Sequence, residues 1–365
     1  MKYLSFLIKP ASSLCNLRCT YCFYQDVSNR RDVKSYGIME KETMKTLIDR
    51  ATEAVDEDGI LNFAFQGGEP TLAGLQYFYD FVHYVEQKTT NQRVYYSLQT
   101  NGILLDEQWA EFFKKNQFLV GVSLDGYESN TNYFRKDQKG KGSYEQVMKG
   151  IGYLKKYHVQ YNILTVLTNR LAKHPQAFYK FIKDQNFPFV QCIPCLGELG
   201  QSDGFQLTLD SYVNFYKKVY DLWLQDYIHG EYRSIYLFDN LLLMLCDRPP
   251  QQCGMLGFCN VQFVAESNGN IYPCDFYVLD QYYLGNIKEQ TIEEILKSKN
   301  LEIFIKEEKR SSPLCKDCPY WKICRGGCKR QNVVYLTEKR CAHRELLEYI
   351  YPTLSRIAYS LKRDS

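Results

Sequence analysis

The sequence predicts an α/β fold, an open or partial barrel of parallel strands followed by a metal-stapled second domain. Two patterns carry this. Across the first half, strand-like apolar runs alternate with amphipathic helical stretches, as parallel strands with crossover helices require. Farther on, eight cysteines crowd between Cys253 and Cys341 in irregular sequence. The strand candidates are Leu4–Lys9, Leu61–Gln66, Val94–Gln99, Phe118–Leu124, Tyr161–Val166 and Phe189–Ile193. Between them the 3.6-residue apolar period marks helices near Glu40–Val55, Leu75–Gln87, Glu107–Lys115, Tyr144–Tyr157 and Gln176–Asp184. A helix over Leu209–Ile228 follows, then short strands at Gln262–Glu266 and Asn270–Tyr272, and a final helix over Arg344–Leu361. The expected domains are residues 1–230 for the barrel, 231–343 for the Cys-rich part, and 344–365 for a helix packing back on the body.

Bulk chemistry narrows the class. With 45 basic and 42 acidic residues the net charge is +3, and no Lys/Arg block of the kind that binds nucleic acid or anionic lipid stands out. The N-terminal MKYLSFLIKPASSLCNL lacks the long apolar stretch of a signal peptide, and no segment approaches bilayer-spanning length. We therefore expect no nucleic-acid partner, no membrane and a cytoplasmic location. Fourteen cysteines in such a compartment point to metal binding rather than disulfides.

In parallel α/β folds function collects at the C-terminal ends of strands, and the unusual segments fall there: Cys15–Cys22, Gln66–Pro70, Gln99–Gly102 and Ser123–Gly126. Cys15, Cys19 and Cys22 stand as C-x3-C-x2-C. Three thiolates on a four-iron cubane leave one iron free for an exogenous chelator, whereas a structural cluster takes four. A zinc site would need a further ligand, and none of the five histidines lies nearby in sequence. Gln66-Gly67-Gly68-Glu69-Pro70 would by itself read as an ordinary turn. The C-terminal cysteines include Cys315-x2-Cys318-x5-Cys324-x3-Cys328 followed by Cys341, and are preceded by Cys253, Cys259 and Cys274. Eight ligands suit two four-thiolate cubanes, and the spacing also permits two zinc staples. Cys192, Cys195 and Cys246 sit in or beside apolar runs and read as small core hydrophobes.

The Cys triad with Tyr21 before its last member, together with the GGEP element, resembles the radical S-adenosylmethionine superfamily. The eight later cysteines resemble its SPASM extension. Over nearly the whole chain the segments IKPASSLCNLRCTYCFY, SYGIM, FAFQGGEPTLAG, SLQTNG, FLVGVSLDG, QFVAESNGNIYPCDFYVLD and LGNI are similar to anaerobic sulfatase-maturating enzymes, which oxidise a Cys or Ser of a sulfatase to Cα-formylglycine. The resemblance implies a partial (β/α)6 TIM-type barrel with a SPASM domain, and S-adenosylmethionine with three 4Fe-4S clusters as cofactors. It implies one cluster on Cys15, Cys19 and Cys22, a second on Cys253, Cys259, Cys274 and Cys328, and a third on Cys315, Cys318, Cys324 and Cys341. Cofactor contacts carried over are Tyr21, Gly68, Ser123, Arg135 and Leu196; substrate-facing positions are Tyr24, Gln66 and Gln99. Asp275 matches the proposed general base, which takes the heteroatom proton when a Cβ hydrogen has been abstracted. Without the resemblance it reads as a carboxylate shaping the Cys274 loop. Residues 197–206 and 331–340 match the family less clearly.

The implied partners are an unfolded or nascent sulfatase segment of the form Cys/Ser-x-Pro-x-Arg and an electron donor such as ferredoxin or flavodoxin. Two other readings compete. A maturase that forms thioether or carbon-carbon crosslinks in a ribosomal peptide would share the cofactors, but such enzymes often carry a peptide-recognition domain before the barrel, and the triad here begins at residue 15. A zinc-stapled peptide-binding protein would explain the later cysteines and leave the N-terminal triad unexplained.

Overall fold

The computed structural model describes residues 1–200, 204 and 206–363. Among these, ten strands form: β1 (Tyr3–Ile8), β2 (Ile60–Phe65), β3 (Arg93–Thr100), β4 (Leu119–Ser123), β5 (Gln160–Leu167), β6 (Phe189–Pro194), β7 (Ser234–Ile235), β8 (Val264–Ala265), β9 (Asn270–Tyr272) and β10 (Gly285–Asn286). The six long strands fall within a residue or two of the apolar runs that predict them. The chain divides into two compact units, and each is described by itself.

The first unit comprises residues 1–123, 132–161 and 261–307. Its strand order is β10-β9-β8-β1-β2-β3-β4, parallel from β8 through β4, with β9 and β10 antiparallel. Residues 261–307, read from the sequence as part of the Cys-rich domain, belong here because Val264 and Ala265 pair with Leu7 and Ile8 of β1. Helices Lys41–Ala54, Leu75–Lys88 and Glu107–Lys115 follow the strands as crossovers. The last starts where Asp106 accepts from the Trp109 N–H at 3.0 Å, a side-chain cap on an otherwise orphaned donor. An aromatic core holds this unit: Phe63 and Phe65 of β2 meet Phe81 edge-on, and Phe112 and Phe113 close on Phe118.

The second unit comprises residues 124–131, 162–260 and 308–365. Here β5, β6 and β7 are parallel neighbours. The Leu209–Ile228 helix packs against the Ala342–Arg363 helix and presents Tyr212, Tyr216, Tyr220 and Trp223 to the interior. A helix at Tyr236–Leu245 was not anticipated, because its run LLLML is apolar on every side and gives no helical period. The Phe23–Asn29 helix of the first unit was missed too, since it begins directly after Cys22 and is only seven residues long. Cys195 is buried as expected of a core thiol, while Cys192 and Cys246 are partly buried. No helix of the described residues is long and apolar enough to cross a membrane.

Candidate active site

In the first unit the loop after β1 carries Cys15, Cys19 and Cys22, and the turn after β2 carries the GGEP element. Two hydrogen bonds tie them: Gly68 N–H to the Ser12 carbonyl at 3.0 Å and Glu69 N–H to the Leu14 carbonyl at 2.7 Å. The glycines are required by this approach. A Cβ on Gly68 would lie 2.1 Å from the Leu14 carbonyl oxygen, and Gly67 has φ of +120°. Glu69, 1% exposed, accepts from the Thr71 N–H and hydroxyl, the Thr100 hydroxyl and the Asn101 N–H. Burial raises its pKa, and these donors oppose the rise. Asn101 in turn donates to Asn16 Oδ1 at 2.7 Å. The Cys loop is thus clamped from the ends of β2 and β3.

Its other side runs along residues 134–137, where Arg18 N–H donates to the Lys136 carbonyl and Thr20 N–H to the Phe134 carbonyl. Arg135, buried, donates to the Tyr21 hydroxyl at 3.0 Å, so two of the expected cofactor contacts meet. Ser123 ends β4, Gln99 lies half-buried in β3, and Leu196 belongs to the second unit. Burial pushes the Cys15 thiol up to about 11, so thiolate ligation there depends on a metal displacing the proton.

Asp275 lies in the same unit, on the turn after β9, and is 6% exposed. Its Oδ2 accepts from the Tyr24 hydroxyl at 2.5 Å and from Gln66 Nε2 at 3.1 Å, and Gln66 Nε2 also reaches the Tyr24 hydroxyl at 2.5 Å. These donors are side chains from two other elements rather than backbone of its own loop. Asp275 Oδ1 is buried and has no hydrogen-bond partner; Lys9 Nζ stands 3.4 Å away as an ion-pair partner. One carboxylate oxygen is held by two hydrogen bonds and the other by the Lys9 ion pair alone. Tyr24 is held neutral, its pKa well above the usual value through burial first and the Asp275 charge second.

Behind Asp275 is a group of charges that sequence reading missed. Lys9, 4% exposed, lies 3.8 Å from Glu266, which pairs with Arg31 at 2.5 Å and accepts from the Ser12 hydroxyl at 2.7 Å. Two cations and two carboxylates, all buried, balance one another. The signal was present: Lys9 closes an apolar strand and Glu266 interrupts the apolar run before Ser267.

The second unit brings cysteines together in two places. Cys315, Cys318, Cys324 and Cys341 line one pocket with Leu314, Trp321 and Leu347. Burial pushes Cys324 up to about 12, with the other three sulfurs adding smaller effects. Cys253 is raised by burial and then by neighbouring Cys328 and Cys259. Between Cys324 and Cys328 the backbone takes three successive positive φ values, at Arg325, Gly326 and Gly327. A Cβ on Gly327 would strike the Tyr335 hydroxyl at 1.7 Å. Cys274 lies in the first unit.

A model of the radical SAM superfamily matches residues 10–182, and one of the SPASM iron-sulfur cluster-binding domain matches residues 258–319. The cysteine-type anaerobic sulfatase-maturating enzyme of Clostridium novyi (strain NT) is 45% identical, over 90% of this chain and 89% of its own. The chain belongs to the anaerobic sulfatase-maturating enzymes. The cysteine-type enzyme of Clostridium perfringens (strain 13 / Type A) is 42% identical over 99% of this chain and all of its own. The solved structure of native anSMEcpe with bound AdoMet and Kp18Cys peptide matches with a TM-score of 0.90 at 40% identity, covering 98% of this chain and 99% of that one.

S-adenosylmethionine and 4Fe-4S clusters are the cofactors that this membership brings, and the residues present fit them. Four thiols converge on an apolar pocket in the second unit, as a fully ligated cluster requires. Three thiols on a clamped loop beside a glycine turn suit a cluster with one open iron.

Proposed function

We propose that this enzyme, without oxygen, oxidises a cysteine of a sulfatase polypeptide to Cα-formylglycine. Both relatives at 42% and 45% identity are named cysteine-type, which favours cysteine over serine. The observation that carries the reading is Asp275, a buried carboxylate with one oxygen held by Tyr24 and Gln66 and the other without a hydrogen bond beside Lys9, in the unit that also holds the Cys triad. When bound, S-adenosylmethionine and the clusters supply the 5'-deoxyadenosyl radical that abstracts a Cβ hydrogen, and take up the electron released.

The chain's own residues do the rest. Asp275 Oδ1 accepts the substrate thiol proton as the carbon-sulfur double bond forms, while Tyr24 and Gln66 keep Oδ2 from turning. Lys9 offsets the carboxylate charge before transfer and Glu266 offsets Lys9 after it. Tyr21 and Arg135, joined to each other, face the cofactor with Gly68 and Ser123, and Gln99 with Tyr24 and Gln66 faces the peptide. Hydrolysis of the thioaldehyde then gives the aldehyde and sulfide. The electron donor is a ferredoxin or flavodoxin, and the reaction takes place in the cytoplasm.

The test is anaerobically reconstituted protein with dithionite, S-adenosylmethionine and a peptide bearing Cys-x-Pro-x-Arg, followed by mass spectrometry. Deoxyadenosine together with aldehyde-bearing peptide is expected. Deoxyadenosine without a change in either the Cys or the Ser peptide would sink the formylglycine reading and return the crosslinking maturase.

A further inference from the structure

Within the second unit a solvent-open groove runs beside the four-cysteine pocket, and two aromatic residues line both. Tyr320 and Trp321 wall the pocket that holds Cys315, Cys318, Cys324 and Cys341, and also wall the groove. Trp321 sits between Cys318 and Cys324 in sequence, is 46% exposed, and lines both the thiol pocket and the groove. Phe258, 59% exposed, adds apolar surface to the same groove. Exposed aromatics grouped in a concavity mark an interaction site more often than a bare surface.

The rim is charged in one sense. Arg248, Lys322 and Arg325 are exposed along it, and its one carboxylate, Asp247, is paired with Lys362. Lys309 adds a fourth cation, 5.8 Å over the Trp321 ring. A basic rim around an aromatic floor selects an acidic partner, and complementary charge chiefly raises the rate of encounter.

We propose that this groove docks a small acidic electron-transfer protein, which exchanges one electron with the cluster on Cys315, Cys318, Cys324 and Cys341 across Trp321. The inference rests on the function proposed above, which needs electrons delivered and removed singly. The step balances: the carrier loses one electron and the cluster gains it, or the reverse, with no bond made and no proton moved. Transient encounters of this kind bury little surface, which a shallow groove satisfies.

The test uses the reconstituted full chain and an acidic 4Fe-4S ferredoxin. Two readouts are taken: the dissociation constant by calorimetry with oxidised ferredoxin, and the second-order rate of cluster reduction by reduced ferredoxin in stopped flow. Methyl viologen serves as the small reductant that needs no docking. For the wild type the ferredoxin rate falls steeply with salt. The double variant Arg248→Glu, Lys322→Glu is expected to weaken binding and slow the ferredoxin rate on the order of tenfold at low salt, with viologen rate and iron content unchanged.

Wild-type ferredoxin binding and rate in that variant would overturn the assignment, as would a viologen rate that drops equally. If the double variant loses iron, Arg248→Glu alone, outside the segment that carries Cys315 to Cys341, carries the same test. Dithionite-driven peptide conversion reads the formylglycine proposal separately, because it bypasses the groove.

Discussion

The two cysteine-bearing regions are built on opposite electrostatic plans. In the first unit the triad loop neighbours buried ions and hydrogen-bond donors, with Glu69, Lys9, Arg31, Glu266 and Asp275 all within the protein. In the second, four thiols line a pocket whose other walls are mainly apolar, from Leu314 and Leu347 to the indole of Trp321. A site that must bind a charged cofactor and move a proton needs preorganised polar groups, whose cost is borne only if each is paired. A site that only holds and passes electrons needs closure, four ligands and little else. The count of cysteines and the polarity around them therefore tell the same story.

The contrast can be broken by removing one part at a time. Cys15→Ala should have the largest effect, abolishing deoxyadenosine formation while the iron bound in the second unit stays; cleavage retained in this variant would refute the assignment of the triad. Asp275→Asn is next: deoxyadenosine still forms, and aldehyde yield falls by roughly 10²–10⁴-fold. Undiminished aldehyde would remove Asp275 as the base. Gly68→Ala should prise the Cys loop from the GGEP turn through the 2.1 Å contact with Leu14, so iron analysis is expected to show loss at the N-terminal site alone. Iron lost equally from both regions would mean that they are not independent.

Smaller effects sharpen the account of the buried ions. Lys9→Met leaves Asp275 and Glu266 without their shared cation, and loss of one partner from a buried pair costs about 3–5 kcal/mol. Denaturant unfolding should register it, and adding Glu266→Gln should return part of it. Strict additivity of the two changes would show that Lys9 and Glu266 do not interact. Glu69→Gln should cost the least, about 1–3 kcal/mol, through weaker acceptance from Thr100 and Asn101. A Cys loop as firmly held as before, judged by hydrogen exchange at Gly68 and Glu69, would show that the clamp does not depend on the charge.

Much of the site was legible because its chemistry depends on residue type and short spacing. A C-x3-C-x2-C loop after a strand, a GGEP turn after the next, and a final C-x2-C-x5-C-x3-C each lie within a few residues of chain, where sequence and space nearly coincide. The strands were legible because continuous apolar runs of six residues or so have few alternatives in a parallel sheet. Lys9, Arg31 and Glu266 were not, since their meaning comes from partners more than 200 residues away. Nor was the helix at Tyr236–Leu245, whose uniform apolarity erases its period.

Sequence alone supplied the expected ligand types, the open count of three against the closed count of four, and the order of the six long strands. Tertiary structure decided which carboxylate oxygen of Asp275 is held by hydrogen bonds and which has only the Lys9 ion pair, that residues 261–307 join the first unit through β8, and that Gly68 must lack a side chain for the sake of Leu14. The reason is range: ligand identity and local period are properties of a few adjacent residues, whereas a buried charge acquires its role only when long-range packing supplies its partner.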